Sequence, residues 1–256
     1  MSPRTNLLAI AFAASCAAAP PQTPSNESEA LYRKMEAALA AGKKLHVEFE
    51  STAEGSTIKG SFAIDEGNKF DMKIEGAAGT KKYTLALACD GGKMALARSE
   101  TPPPPVPLKP QPELPAPATL AANVAGALAR GGAWLAQEFV DGEYRAAADP
   151  WFEERQKAEG EKRPMKKLPA VAPRDVTTMH TMGNFRAGKA EGGATAVTYD
   201  LVRKGESPTL VLTMTVWIHP KTNLPVKREC LYFVARGEGK AAGEPLSTWT
   251  ENYSFK

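Results

Sequence analysis

Apolar residues recur along this chain in two periods, and the switches between them mark its elements. From Glu27 to Ala41 the spacing is helical. Leu31, Met35 and Leu39 form one stripe, Asn26 and Glu29 are spaced as a capping box, and Gly42 is placed to end the helix. The period then falls to two. Leu45, Val47 and Phe49 alternate with His46, Glu48 and Glu50, the pattern of a half-buried strand. Ile58, Phe62 and Ile64 repeat it, then Phe70, Met72 and Ile74, then Tyr83, Leu85, Leu87 and Cys89. Asp90-Gly91-Gly92 turns that last run back into Met94 and Leu96, because Gly accepts the positive φ such turns need. Five short strands in sequence predict an antiparallel meander with one wet and one apolar face.

Two stretches interrupt the pattern. In the insertion at 99–117, nine of the sixteen residues from Pro102 to Pro117 are proline, which predicts an extended polyproline surface loop that donates to no ladder. A second helix follows from Ala118 to Val140, with Leu120, Val124, Leu128, Leu135 and Phe139 at helical spacing and Gly131-Gly132 weakening or bending it. The second insertion, 149–175, mixes Arg155, Lys157, Lys162, Arg163, Lys166, Lys167 and Arg174 with Pro and Glu. It reads either as a solvated excursion or as a contact for anionic lipid headgroups. Alternation then returns through Val197 to Leu201, Leu210 to Ile218, Val226 to Val234 and Trp249 to Phe255. His219 to Pro225 forms the turn between the second and third of these runs.

The first sixteen residues add a location. Arg4 precedes an apolar run, Leu7 to Ala14, about half the ~20 residues a membrane-spanning helix needs, so it reads as a cleaved signal. Ala13-Ala14-Ser15-Cys16 resembles the bacterial lipobox, which makes Cys16 the lipidation site and Ala17 to Asn26 (17–26) a flexible tether. The expected protein is then membrane-bound through an N-terminal lipid, on the outer membrane facing the periplasm. Cleavage near Ala17 to Ala19 would instead release it to the periplasm. Residues 27–256 are expected to form one domain and a monomer. At 43% hydrophobic and 24% charged, with net charge +3, the composition is that of a globular protein with no call for nucleic acid. Cys89 and Cys230 read as a disulfide or as two buried thiols, and sequence spacing does not choose.

No catalytic pattern emerges. His46, His180 and His219 are scattered, and no nucleophile elbow, phosphate loop or Cys-x-x-Cys occurs. His46, Glu48 and Glu50 share a strand face, which reads as solvated rather than metal-binding. The expectation is a non-enzyme without cofactor or metal.

The order of these features resembles the LolA/LolB-like outer-membrane lipoprotein-sorting family. The features are the envelope signal, the first helix, the strand with Phe49, Gly60-x-Phe62, Lys69-Phe70, the Asp90-Gly91 hairpin, the mid-chain helix pair, and Pro220-Lys221-Thr222-Asn223-Leu224-Pro225 in the closing hairpin. The resemblance implies an α+β fold: an incomplete, strongly curved antiparallel β half-barrel with helices covering the concave face. It also implies a cavity for a lipid or acyl chain, lined here by Phe49, Phe62, Phe70, Met72, Ile74, Leu85, Leu87, Met214 and Val216. Met35, Leu39, Leu128 and Leu135 would form its lid. The carriers usually place Arg directly after the Phe of the third strand; here Asp71 follows Phe70, so that arginine's role does not transfer. The competing expectation is an interaction or sensing module of the envelope with a filled half-barrel.

Overall fold

The computed structural model describes residues 26–41, 44–53, 56–103, 112–168, 172, 175, 180–204, 209–233, 245 and 247–256. The signal, Cys16 and nearly all of the tether lie outside them, as does Gly42. Helix α1 (Asn26–Ala41) leads into strands β1 (Leu45–Ala53), β2 (Ser56–Asp65), β3 (Lys69–Ala78), β4 (Lys81–Asp90) and β5 (Lys93–Thr101), then the short β6 (Leu114–Pro115). Helix α2 (Leu120–Gly160) crosses to β7 (His180–Ala187), β8 (Thr195–Arg203), β9 (Thr209–Ile218), β10 (Pro225–Tyr232) and β11 (Ser247–Phe255). All pairings are antiparallel, in the order β6-β5-β4-β3-β2-β1-β11-β10-β9-β8-β7. The last strand thus pairs with the first, and two meanders join at the centre of one open sheet. This is the incomplete half-barrel that the resemblance implies, with both helices packed on its concave face.

The alternation dictates which face is concave. Phe49, Phe62, Phe70, Met72, Ile74, Leu85 and Leu87 from one meander and Tyr199, Leu201, Met214 and Val216 from the other are buried in a single core. Helix α2 fills the space they enclose. Its buried face carries Ala121, Ala125, Ala129, Ala133 and Ala136 among the larger Val124, Leu128 and Leu135, and small side chains let the helix sink deep into the sheet. Helix α1 packs on α2, β7 and β8. Besides Met35 and Leu39 it buries Tyr32, whose ring meets Phe185 at a tilt and Tyr199 edge-on, while Leu31 is only half-buried.

Several local expectations change. Helix α2 does not stop at Val140 but runs to Gly160 through Pro150, whose missing N–H deprives only one carbonyl of its partner. The first part of the charged insertion is therefore helix. Arg163 folds back onto it, donating to Glu154 at 2.5 Å, and this pairing holds the Glu154 carboxyl down to about 2. The proline-rich stretch does reach the sheet: Leu114 and Pro115 pair with Met94 and Lys93 at its edge, and Leu114 is buried. Strand β7 is a further addition, its alternation hidden by a bulge between Gly183 and Arg186 where Asn184 takes φ 54°.

Cys89 and Cys230 are buried free thiols on β4 and β10, and burial pushes both above the usual thiol range. Neither should react with a thiol reagent at pH 8 in the native protein, and both should react on denaturation. Rapid native labelling would contradict this placement.

Candidate functional site

The site is built around a break in helix α2. Gly132 adopts φ 67°, ψ −159°, which ends one helical limb and starts another inside the core. A buried break exposes carbonyls on one side and amides on the other, and each needs a partner. On the carbonyl side, the fully buried Arg228 donates to Leu128 O at 2.7 Å and Ala129 O at 2.8 Å. Tyr32 donates to Ala129 O at 2.9 Å and Tyr199 to Arg130 O at 2.7 Å. On the amide side, Glu251 accepts from Ala133 N at 3.1 Å and Trp134 N at 3.2 Å. Trp249 Nε1 at 3.1 Å and the Tyr253 hydroxyl also donate to Glu251. A cation thus meets a helix C-terminus and an anion a helix N-terminus, each matching the helix dipole. Arg228 and Glu251 are register partners on β10 and β11. Burial opposes the Arg228 charge, but Tyr199, Tyr253, Glu251 and Tyr32 more than offset it, so its pKa is raised.

The second limb stays in the core through Leu135, Phe139, Val140 and Tyr144, and beside it a groove of about 690 Å³ runs against the ends of β2, β7, β8 and β10. Its apolar lining is Trp134, Leu135 and Phe139 from the helix and Ile58 and Tyr232 from the sheet, and Gln137, Glu138, Asp141, Arg145, His180 and Arg203 line it too. A smaller compartment of about 140 Å³ shares Ile58, Trp134 and Gln137 with it and reaches inward to Phe49, Ala133 and Glu251. The larger volume falls in the ~300–1,000 Å³ range of small-molecule sites.

Charged groups line the groove from both the helix and the sheet. Asp141 is held by Arg98 at 2.9 Å and Arg145 at 2.8 Å. His180 and Arg203 are register partners on β7 and β8. His180 is 3% exposed, and neither ring nitrogen has a hydrogen-bond partner. Burial first, then Arg203 and Arg130, hold its pKa below the ordinary value of about 6.5, so the imidazole is neutral at pH 7. Partial burial raises the pKa of the Glu138 carboxyl on α2, with Arg203 pulling the other way.

All thirteen residues expected to line or lid a cavity point into the half-barrel, and none is more than 7% exposed. The structure brings them together as packed core. Of the thirteen, Leu135 borders the larger groove and Phe49 the smaller compartment. His46 Nε2 lies 3.5 Å from Glu48, but Glu48 also accepts from Lys256 at 2.5 Å and Glu50 pairs with Lys59 at 3.2 Å. No cluster that could hold a metal occurs among the described residues, and no described helix is long and apolar enough to cross a membrane. Trp134, His180, Arg203 and Tyr232 were not expected at a site. The available signals were the position of Trp134 just beyond the Gly131-Gly132 pair and the position of Tyr232 in the alternation that includes Arg228.

No protein-family model and no curated protein matches the chain. Among solved structures, it is similar to LprF from Mycobacterium bovis at 9% identity and TM-score 0.40, covering 91% of this chain and 93% of that one. It is also similar to a chain of the Pseudomonas aeruginosa MucA/MucB complex at 10% identity and TM-score 0.36, covering 90% of this chain and 57% of that one. A DUF1329 family protein from Desulfovibrio piger gives 11% identity and TM-score 0.32, covering 90% and 92%. Likeness at this distance says nothing about ligand or activity.

Proposed function

We propose that this is a non-enzymatic envelope lipoprotein, anchored through Cys16 at the outer membrane and facing the periplasm, that binds an apolar chain of a lipid. The observation that carries this reading is the groove beside Trp134, Leu135, Phe139, Ile58 and Tyr232. Water gains little from wetting such walls, whereas each buried methylene of a ligand contributes about 0.8 kcal/mol. The reading differs from the expected cavity in position: the centre of the half-barrel is occupied by α2, and the chain lies at its open end.

A fluorescent acyl-chain probe should bind the full chain at one site and be displaced by unlabelled acyl chains. Ile58→Trp fills the groove from its sheet side and should weaken binding at least about tenfold, or 1.4 kcal/mol, with an unchanged circular-dichroism spectrum. Equal binding by the variant would place the probe elsewhere. The packed interior favours a second reading, an interaction module docking a partner protein through the outer sheet or the Pro102 to Pro117 segment. A chain that binds no acyl probe, but loses a purified partner when residues 102–117 are deleted, would support it.

A further inference from the structure

Resting on the reading of the groove as an acyl-chain site, we infer that His180 and Arg203 form a subsite for the anionic head of the ligand, so that the protein selects amphiphiles ending in a carboxylate or phosphate over neutral ones. One polar side chain of the groove is anomalous. A buried imidazole carries one N–H donor and one acceptor, and native proteins seldom leave both unmade, because each orphaned group costs about 1–3 kcal/mol. His180 leaves both unmade; it lines the groove with both ring nitrogens covered by neighbouring atoms, so a partner from the groove side reaches them when the ring turns outward.

The neighbour on the adjacent strand indicates what that partner carries. In an antiparallel pair, residues in direct register project from the same face with Cβ atoms about 4.5–5.5 Å apart. Arg203 therefore stands beside His180, at the end of β8 where the groove meets solvent. Arg98, Arg130 and Arg145 in this region are each engaged by Asp141 or Glu36. Arg203 makes no ion pair within 4 Å among the described residues, although Glu138 lies close enough to feel its charge. An uncommitted guanidinium beside a neutral N–H donor is a fork for an anionic oxygen head. Trp134 and Ile58 line both this groove and the smaller compartment beside it, so the chain of a head held here has apolar side chains to lie against. Carboxylate and phosphate heads share this chemistry, and hexadecyl phosphate tested beside palmitate separates them.

Calorimetric titration of the delipidated full chain tests the assignment with ligands of one chain length. Palmitate or hexadecyl phosphate should bind at least about tenfold more tightly than hexadecanol, the size of one lost charge-assisted hydrogen bond. Arg203→Met, at an exposed position that need not disturb the core, should erase that preference by bringing palmitate down to the affinity of hexadecanol. His180→Leu should weaken palmitate while leaving the ligand-free melting temperature equal or higher, because it removes an unsatisfied polar group. A merely structural histidine would show a lower melting temperature instead. Equal binding of palmitate and hexadecanol by the parent chain, or equal loss of both in Arg203→Met, would overturn the head subsite while keeping the acyl-chain site. Displacement of palmitate by millimolar acetate or inorganic phosphate would reassign the pair to free anions. Binding of none of the amphiphiles would remove the acyl-chain reading itself.

Discussion

Arg228→Met should lower the unfolding free energy by about 3–5 kcal/mol, read as a fall in the urea midpoint at unchanged slope. The side chain is fully buried and its two donors hold the carbonyls of Leu128 and Ala129. Methionine matches much of its volume but donates nothing. Leu128 O at the end of a helical limb then loses its partner, Ala129 O keeps only the Tyr32 hydroxyl, and Glu251 is left as a buried anion without its facing cation. The second effect adds to the first: Glu251 keeps its four donors but loses the nearby positive charge that balanced it inside the core. Two further variants separate the terms. Arg228→Lys keeps the charge but replaces a planar fork with a single ammonium, so it should fall between the parent and the methionine variant. Arg228→Met combined with Glu251→Gln should lose less than the sum of the single changes, because the stranded carboxylate is gone. A loss below about 1 kcal/mol for Arg228→Met would mean that the break in α2 does not depend on its cap.

That cap also shows how far the sequence could be read. Strand faces were legible because one side of the sheet is dry: parity alone places Phe62, Phe70, Met72 and Ile74 together, and the structure buries all four. Parity also places Arg228 among Val226, Cys230 and Tyr232, and Glu251 among Trp249, Tyr253 and Phe255. A charge at a dry position announces a buried partner. Naming that partner needs the order of strands, because Arg228 and Glu251 meet only when β11 inserts between β10 and β1. The glycine pair signalled a bend in the helix, whereas the sharpness of the break depends on the tertiary groups that satisfy it.

The candidate site was less legible for a different reason. A cavity wall and a filled core are both made of Leu, Phe, Met and Val, so the pattern cannot tell whether Met72 touches a ligand or a helix. The alanines of α2 decide it by letting the helix enter the half-barrel, and the groove described above lies beside its second limb at Trp134. The polar groups of that space, His180 and Arg203, lie at the ends of strands, where alternation is too short to assign a face. Their pairing is a property of register.

Gly132→Ala should be at least as damaging as the loss of Arg228, at roughly 3–5 kcal/mol, from backbone strain and a displaced cap together. At φ 67°, ψ −159° the backbone occupies a region that is essentially glycine's own, and strain of this kind costs about 1–3 kcal/mol. A Cβ there would also stand 2.5 Å from the Tyr253 hydroxyl and 2.9 Å from Arg228 Nη1, and closer still to Glu251 Oε2. The carboxylate would have to move, and its movement undoes the bonds to Ala133 N and Trp134 N that start the second limb. Since Trp134 walls the groove, the same substitution should also weaken acyl-probe binding in whatever fraction remains folded. Gly160→Ala is the internal control: it lies in the same helix with nothing within 4 Å of its Cβ position, and should be neutral or gain up to about 1 kcal/mol. If Gly132→Ala unfolds at the same urea concentration as Gly160→Ala, the helix can pass this point without its break. The groove would then owe its shape to something other than the Arg228 and Glu251 pair.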